Sequence, residues 1–184
     1  MACQTGVIQN MINDCATAPI AGLEEVIYVF NHSELTATKS LTVKTLVTDL
    51  AILATKKGYK LQGFKKSNNV KNELVVSDTL PDSFKQTMDF TVWGKDAATV
   101  SQLVALNDLI FVVENKDKGV LGASAFNIYG LDSAMFKASM AQDAGADAGV
   151  FKLSMVAEGQ TVPFYNLFDT DYATTKATLE GLLV

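Results

Sequence analysis

The side chain best suited to proton transfer near neutral pH belongs to His32, the only histidine in the chain. It lies in a predicted turn, Asn31-His32-Ser33, directly after an apolar strand. Nucleophilic hydrolysis needs a histidine held between a nucleophile and a carboxylate, and one lone histidine offers no such set in sequence. We therefore predict that His32 is a surface or structural residue rather than a catalytic one.

Three pairs of acidic residues lie close enough in sequence to be considered for acid–base or metal chemistry. They are Glu24 with Glu25, Asp143 with Asp147, and Asp169 with Asp171. Neighbours in a strand point to opposite faces, which separates the first pair. The second pair flanks a glycine turn without the ligand number or spacing of a calcium loop. The third stands where a helix start favours carboxylates, so none of the pairs predicts an active site.

Thiol and phosphate-binding motifs do not change this interpretation. Eleven residues separate Cys3 from Cys15, which matches no zinc or redox spacing. Residues 119–122, Gly-Val-Leu-Gly, are not followed by the Gly-Lys-Ser/Thr of a phosphate loop. We expect no enzyme activity, no cofactor and no bound metal, which leaves binding or assembly as the function.

The overall composition is compatible with a protein that buries surface against other copies. The chain is 48% hydrophobic and 19% charged, against about 25% charged residues on average. No apolar run approaches the roughly 20 residues of a membrane span. The N-terminus does not follow the pattern of a secretory signal. We expect cytosolic assembly without membrane contact.

Charge is distributed unevenly along the chain. All fifteen basic residues are lysines, and the net charge is −5. The missing arginines disfavour sequence-specific nucleic-acid binding. Residues 56–71, a predicted hairpin or loop, hold six lysines and no acid. They form either a solvated face or an arm that docks on an acidic face of a neighbouring subunit. Lys56, Lys57, Lys65 and Lys66 are therefore interface candidates.

Residues 83–114 predict a strand, a capped helix and a second strand, around which the chain is organised. Residues 84–93 alternate between apolar and polar side chains, with Gln86 as the exception on the apolar face. Asp96 is placed to cap a helix over residues 96–107. The expected apolar stripe of that helix consists of Ala97, Val100, Leu103 and Val104.

The strand at residues 109–113 is apolar throughout, which predicts cover on both faces. We expect the helix to supply one cover and a neighbouring subunit to supply part of the other. Phe111, within this strand, and Trp93, at the end of the preceding one, are accordingly interface candidates.

The rest of the chain predicts a mainly β protein. Residues 1–22 form an arm that orders against a partner, and residues 23–184 form one domain. Further strands are expected at residues 24–30, 41–48, 59–63, 73–76, 125–129, 135–142 and 151–158, with a hairpin turn at residues 56–58 and a loop at residues 68–72. Phe164 and Tyr165, in the extended segment after Pro163, are the last interface candidates, and a helix begins near Asp169 or Thr170. Eight to ten strands at this spacing indicate a β-sandwich or barrel.

A β-sandwich or barrel with one helix inserted between residues 84–93 and 109–113 resembles the tail-tube fold of phage tail-tube and tail-terminator ring proteins. Met1-Ala2-Cys3, Asp14-Cys15 and residues 22–29 also resemble structural proteins of phages of Bacteroidetes, including the crAss-like group, as do residues 150–158 and 163–168. The resemblance implies a closed six- or twelve-fold ring in a virion tail, assembled in the host cytoplasm. It implies neighbouring ring proteins as partners and a channel for DNA or protein, and it carries over no catalytic residues.

An acidic channel wall, in agreement with the net charge, would keep passing DNA from sticking. Two other functions remain open at this point: the tube protein of a contractile injection system, and a non-viral β-sandwich binding module. An enzyme with an unrecognised carboxylate site is a more distant alternative.

Overall fold

The structure is a computed structural model that describes residues 20–63, 67–94, 96–145 and 149–184. These residues form eleven strands and two α-helices. The strands are β1 Leu23–Asn31, β2 Leu35–Lys39, β3 Leu46–Ile52, β4 Tyr59–Gln62, β5 Asn69–Val75, β6 Ser83–Val92, β7 Leu109–Asn115, β8 Phe126–Tyr129, β9 Phe136–Gln142, β10 Phe151–Gln160 and β11 Tyr165–Leu167. The helices are α1 Ala97–Ala105, between β6 and β7, and α2 Tyr172–Gly181, at the C-terminal end.

The strands form two sheets. A seven-stranded sheet has the order β2-β3-β11-β8-β7-β1-β4, and a four-stranded sheet has the order β5-β6-β10-β9. All pairs are antiparallel except β3 with β11. The mainly β class with a central and a C-terminal helix is confirmed. Within the described residues the sheets do not close into a barrel, so of the two architectures expected the sandwich is the one observed.

The central unit of strand, capped helix and strand is confirmed. The side chain of Asp96 accepts a hydrogen bond from the backbone N–H of Thr99 at 2.9 Å, which starts α1. At the other end, the ammonium group of Lys137 donates to the carbonyls of Leu103 and Val104. Leu103 is buried, but Ala97 and Val104 are exposed, so the predicted apolar stripe is wrong at those two positions.

Strand β7 is buried on both faces by the chain itself. Leu109, Phe111 and Val113 face the four-stranded sheet and α1, whereas Ile110 and Val112 face the opposite layer, which includes Leu179 of α2. Residues 109–113 are at most 4% exposed. The expectation that a neighbouring subunit supplies part of this cover is therefore wrong.

Two predictions on the first third of the chain are also wrong. Residues 41–45 are not part of a strand, because the Ser40 hydroxyl accepts the backbone N–H groups of Thr42 and Val43 and turns the chain. The strands are instead β2 and β3, on either side of this turn. Residues 56–58 do not close a hairpin, since β3 and β4 lie in different parts of the sheet and Gly58 bridges to Leu183.

Of the predicted loop at residues 68–72, only Asn68 lies outside a strand, because β5 begins at Asn69 and pairs with β6 over its whole length. Asparagine has a low intrinsic preference for strands, which led to the wrong prediction. The long antiparallel pairing with β6 overrides that preference.

Gln86 explains the exception in the alternation of β6. Its side chain is fully buried on the apolar face. Its amide nitrogen donates to the carbonyls of Val162 at 3.3 Å and Pro163 at 2.9 Å, and its amide oxygen accepts the N–H of Gly130 at 2.8 Å. Gln86 thus ties β6 to the segment that connects β10 to β11 and to the turn that follows β8.

We expect Gln86→Leu to lower the free energy of unfolding by about 1–3 kcal/mol, because buried backbone groups would lose their partners. Urea denaturation measures the difference. The control is Gln102→Leu, an exposed amide of α1, which should change stability by less than about 0.5 kcal/mol. Equal midpoints for the two variants would contradict this role for Gln86.

Candidate assembly surface

The four-stranded sheet is covered only in its middle. In β5 every residue except Val70 is exposed, and in β9 every residue except Lys137 is exposed. Because neighbouring residues of a strand point to opposite faces, both faces of these edge strands are open to solvent. Within the described chain, β5 pairs only with β6 and β9 pairs only with β10. Both outer edges therefore present unpaired backbone groups.

Large apolar side chains accompany these two edges. On the side of β5 they continue into the turn toward β6, where Val76 is 71% exposed. On the side of β9, Phe136 is 51% exposed. The complete set is Leu74, Val75, Val76 and Leu80 on the first edge and Phe136 and Met140 on the second. Long, open edge strands with apolar side chains are sites where another chain can pair.

The outer face of the same sheet is polar and balanced in charge. Its charged residues, three basic and three acidic by strand register, are Lys71, Glu73, Lys85, Asp89, Lys152 and Glu158. Lys71 lies 3.4 Å from Asp89, and Lys85 lies 3.3 Å from Glu158. This face is therefore not an acidic wall, although the chain as a whole is acidic.

Most of the described lysines in residues 56–71 pair within the chain. Lys56 lies 2.7 Å from Glu34, Lys60 lies 3.3 Å from Glu180, and Lys71 pairs with Asp89. Lys57 is exposed. The candidates Lys65 and Lys66 lie outside the described residues, as do residues 1–19 of the predicted arm.

The four aromatic interface candidates divide into surface and core. Trp93 is 67% exposed at the end of β6. Phe164 is half-buried, with its ring centroid 6.2 Å from that of Tyr129. Phe111 and Tyr165 are buried in the two core clusters. In this structure the last two support the fold and do not reach the surface.

Tyr165 belongs to a polar cluster around Asp132. The Lys39 ammonium donates to Asp132 and to the Tyr165 hydroxyl, each at 2.8 Å, and Tyr165 donates to Asp132 at 2.8 Å. Thr161 also donates to this carboxylate. Burial raises the pKa of Asp132, but the hydrogen bonds from Lys39, Thr161 and Tyr165 outweigh it and lower the pKa to about 2.

A second buried carboxylate, Glu114, fixes α2 against β7. It accepts hydrogen bonds from Lys118, Tyr172 and Lys176. Burial raises the pKa of Glu114, and these three partners overcome that effect and lower it. A carboxylate held ionised in this way is a weak proton acceptor, so the cluster is suited to anchoring the helix rather than to general base catalysis. Sequence reasoning missed it, because its members come from distant parts of the chain.

Two further candidates for chemistry, His32 and Asp171, have structural partners. The ring nitrogen Nε2 of His32 lies 3.2 Å from the carbonyl of Leu131. Asp171 caps α2 by accepting the N–H of Thr174 at 2.8 Å. Among the described residues, no three His, Cys, Asp or Glu side chains are arranged to hold a metal ion. Cys3, Cys15 and Asp147 lie outside these residues.

Comparisons with family models, with curated proteins and with solved structures each found no match for this chain. Neither described helix has the length and apolarity that crossing a membrane would need.

The depressed pKa of Asp132 predicts a loss of stability in acid. The folded-state value of about 2 lies below the ordinary 3.8, so the stabilisation is present above about pH 4 and is lost as the pH falls toward 2. At neutral pH we expect Asp132→Asn to lower the free energy of unfolding by roughly 2 kcal/mol.

Urea denaturation at several pH values tests this prediction. The difference between wild type and Asp132→Asn should shrink as the pH falls from 4 to about 2. Asp78→Asn, at an exposed loop position, is the control and should leave the profile unchanged. A constant difference over this pH range would contradict the assignment.

Proposed function

We propose that this protein is a ring-forming structural subunit of a phage virion, in a tail tube or a ring of the head–tail region. Its partners would be further copies of itself and the ring proteins above and below. The observation that carries the proposal is that the four-stranded sheet ends in an open strand, β5 or β9, on each side. The resemblance of the chain to tail-tube proteins, with α1 inserted between β6 and β7, agrees with it.

The directions of the strands allow one copy to continue the sheet of the next. Each of the three neighbouring pairs in the order β5-β6-β10-β9 is antiparallel, so β5 and β9 run in opposite directions. If β9 of one copy lies beside β5 of the next, with both sheets in the same orientation, the new pair is also antiparallel. Such a contact joins two different surfaces of neighbouring copies. If each copy is rotated by the same angle relative to the last and the final copy meets the first, the copies form a closed ring.

A ring built in this way would place one face of the four-stranded sheet toward its channel. The outer face is suited to this position, because it is polar and its charges are balanced and partly paired. With no arginine in the chain, it would offer little to hold phosphates or to read bases. On this proposal, passage of DNA would depend on paired charges and hydroxyl groups rather than on an acidic wall.

The proposed site of action is the virion tail, after assembly in the host cytoplasm. The tube of a contractile injection system would use the same edge-to-edge contact, so it remains the nearest alternative. A non-viral β-sandwich binding module would instead remain a monomer. Detection of rings separates the last alternative from the other two.

The two open edges generate a direct test. We expect the double variant Val75→Lys and Phe136→Lys to abolish assembly while the protomer stays folded, because charges on an edge strand oppose pairing and both positions are exposed. Light scattering coupled to size-exclusion chromatography, with negative-stain images, measures assembly.

Leu53→Lys is the matched control, since Leu53 is similarly exposed but lies in the connection between β3 and β4. It should assemble like the wild type. Wild-type protein that stays monomeric at high concentration would refute the ring. Rings that persist in the double variant would place the contact elsewhere.

A further inference from the structure

A cleft of about 430 Å³ opens between the two sheets, beside the first residues of β5. Its volume lies within the range of small-molecule sites, roughly 300–1,000 Å³. Its walls come from β5, from the end of β7 and from β8 and β11. We call it the asparagine cleft, after Asn68, Asn69, Asn115, Asn127 and Asn166 in its walls.

Five of the ten asparagines in the chain thus line one cleft, and they come from four separate segments of the sequence. Asn69 lies opposite Asp89, so its side chain is on the outer face of the four-stranded sheet and the other four remain on the side of the cleft. Asparagine in a strand is disfavoured, yet β5, β7, β8 and β11 each carry one here. Asn127 is only 8% exposed, on a face of β8 whose other residue, Tyr129, belongs to the core. Packing alone would favour an apolar residue at such a position.

Two of these amides retain hydrogen-bonding capacity toward the cleft. Asn68 is not one of them, because it donates to the carbonyls of Glu24 and Glu25 and its unpartnered oxygen is enclosed by the chain. Asn127 is hydrogen-bonded to Tyr129. Asn115 uses its nitrogen on the carbonyl of Ser124. Each amide offers two donors and an acceptor with two lone pairs, so the oxygen of Asn115 and the whole amide of Asn166 remain for a ligand.

The charge of the cleft selects the class of ligand. The described lining residues contain no lysine and one carboxylate, Asp117, which already accepts the N–H of Gly119 at 3.0 Å. Anionic ligands would lack a counter-charge, and a divalent cation would lack the carboxylates that it prefers. A neutral ligand with many donors and acceptors fits the amides best.

Two aromatic rings add an apolar surface to the cleft. Phe164 is half-buried, and Tyr129 lies beside it in the wall. Burial raises the pKa of Tyr129, and its hydroxyl is hydrogen-bonded to Asn127 and Asn72. A sugar combines hydroxyl groups with an apolar C–H face, which matches amides beside an aromatic ring.

We propose that the asparagine cleft binds a neutral saccharide of one or two units. The amide groups would bond its hydroxyls, and the ring of Phe164 would contact its C–H face. This inference does not depend on ring assembly, because the cleft is built from one copy of the chain.

Saturation-transfer NMR on the full chain tests the proposal. The probes are glucose, galactose, mannose and N-acetylglucosamine, together with their homodisaccharides. We expect saturable binding of at least one probe, and at least a tenfold loss of affinity in the double variant Asn115→Ala and Asn166→Ala, equivalent to about 1.4 kcal/mol. The double variant removes one exposed hydrogen bond, from Asn115 to the carbonyl of Ser124, and circular dichroism checks that its fold stays intact.

Gln102→Ala, which removes an exposed amide from α1, is the matched control and should bind like the wild type. A deoxy analogue of the bound sugar should bind more weakly, because an amide that bonded the missing hydroxyl would be left without a partner in the complex. Absence of saturable binding for every probe would overturn the proposal, as would binding that the double variant leaves unchanged. Binding of a synthetic peptide of residues 1–19 in the cleft, without any sugar binding, would also overturn it and assign a peptide instead.

Discussion

The fold depends on the complete burial of β7 between two apolar layers. Phe111 and its alternate neighbours face the four-stranded sheet and α1, and Ile110 and Val112 face the layer that includes α2. Burying a large apolar side chain contributes about 1.5–3 kcal/mol, so residues 109–113 together contribute on the order of 10 kcal/mol. That value is comparable with the net stability of a whole domain, about 5–15 kcal/mol. The other strands and both helices are arranged around this requirement.

Buried polar groups then fix how the layers meet. Gln86 connects the four-stranded sheet to loops of the larger one, and Asp132 joins β2 to the segment that leads into β11. Glu114 connects β7 to α2. Apolar packing alone tolerates small shifts between layers, whereas a buried hydrogen-bond network is satisfied in one arrangement. These buried polar groups therefore specify how the two sheets and α2, which all pack around β7, are positioned relative to one another.

The same arrangement leaves the two sheets with different surroundings. The centre of the seven-stranded sheet is covered on both faces, but the four-stranded sheet is covered on one face and only along β6 and β10. Its edge strands, with unpaired backbone and apolar side chains, are the described surface most suited to contact with another copy. Its outer face is polar and balanced in charge. The covered sheet thus provides stability, and the less covered sheet provides the surface on which the proposed function depends.

The sequence alone predicted the parts of the fold that depend on local patterns. Alternation predicted β6 and β10, the unbroken apolar run predicted the double burial of β7, and Asp96 predicted the start of α1, because each signal depends on neighbouring residues. Strand pairing was not predictable in this way. The turn at Ser40 and the separation of β3 from β4 depend on contacts between distant segments, as does the change of residues 68–72 from an expected loop into β5.

The candidate interface residues show the same difference between what the sequence predicted and what the tertiary structure decided. Sequence patterns marked Trp93 and Phe111 as interface candidates with equal justification, since an apolar residue looks the same in a core and in a contact. Only the tertiary structure decided that Trp93 is exposed and Phe111 is enclosed. It also placed asparagines from four separate segments along one cleft and left β5 and β9 open, because burial and proximity are properties of the folded chain as a whole.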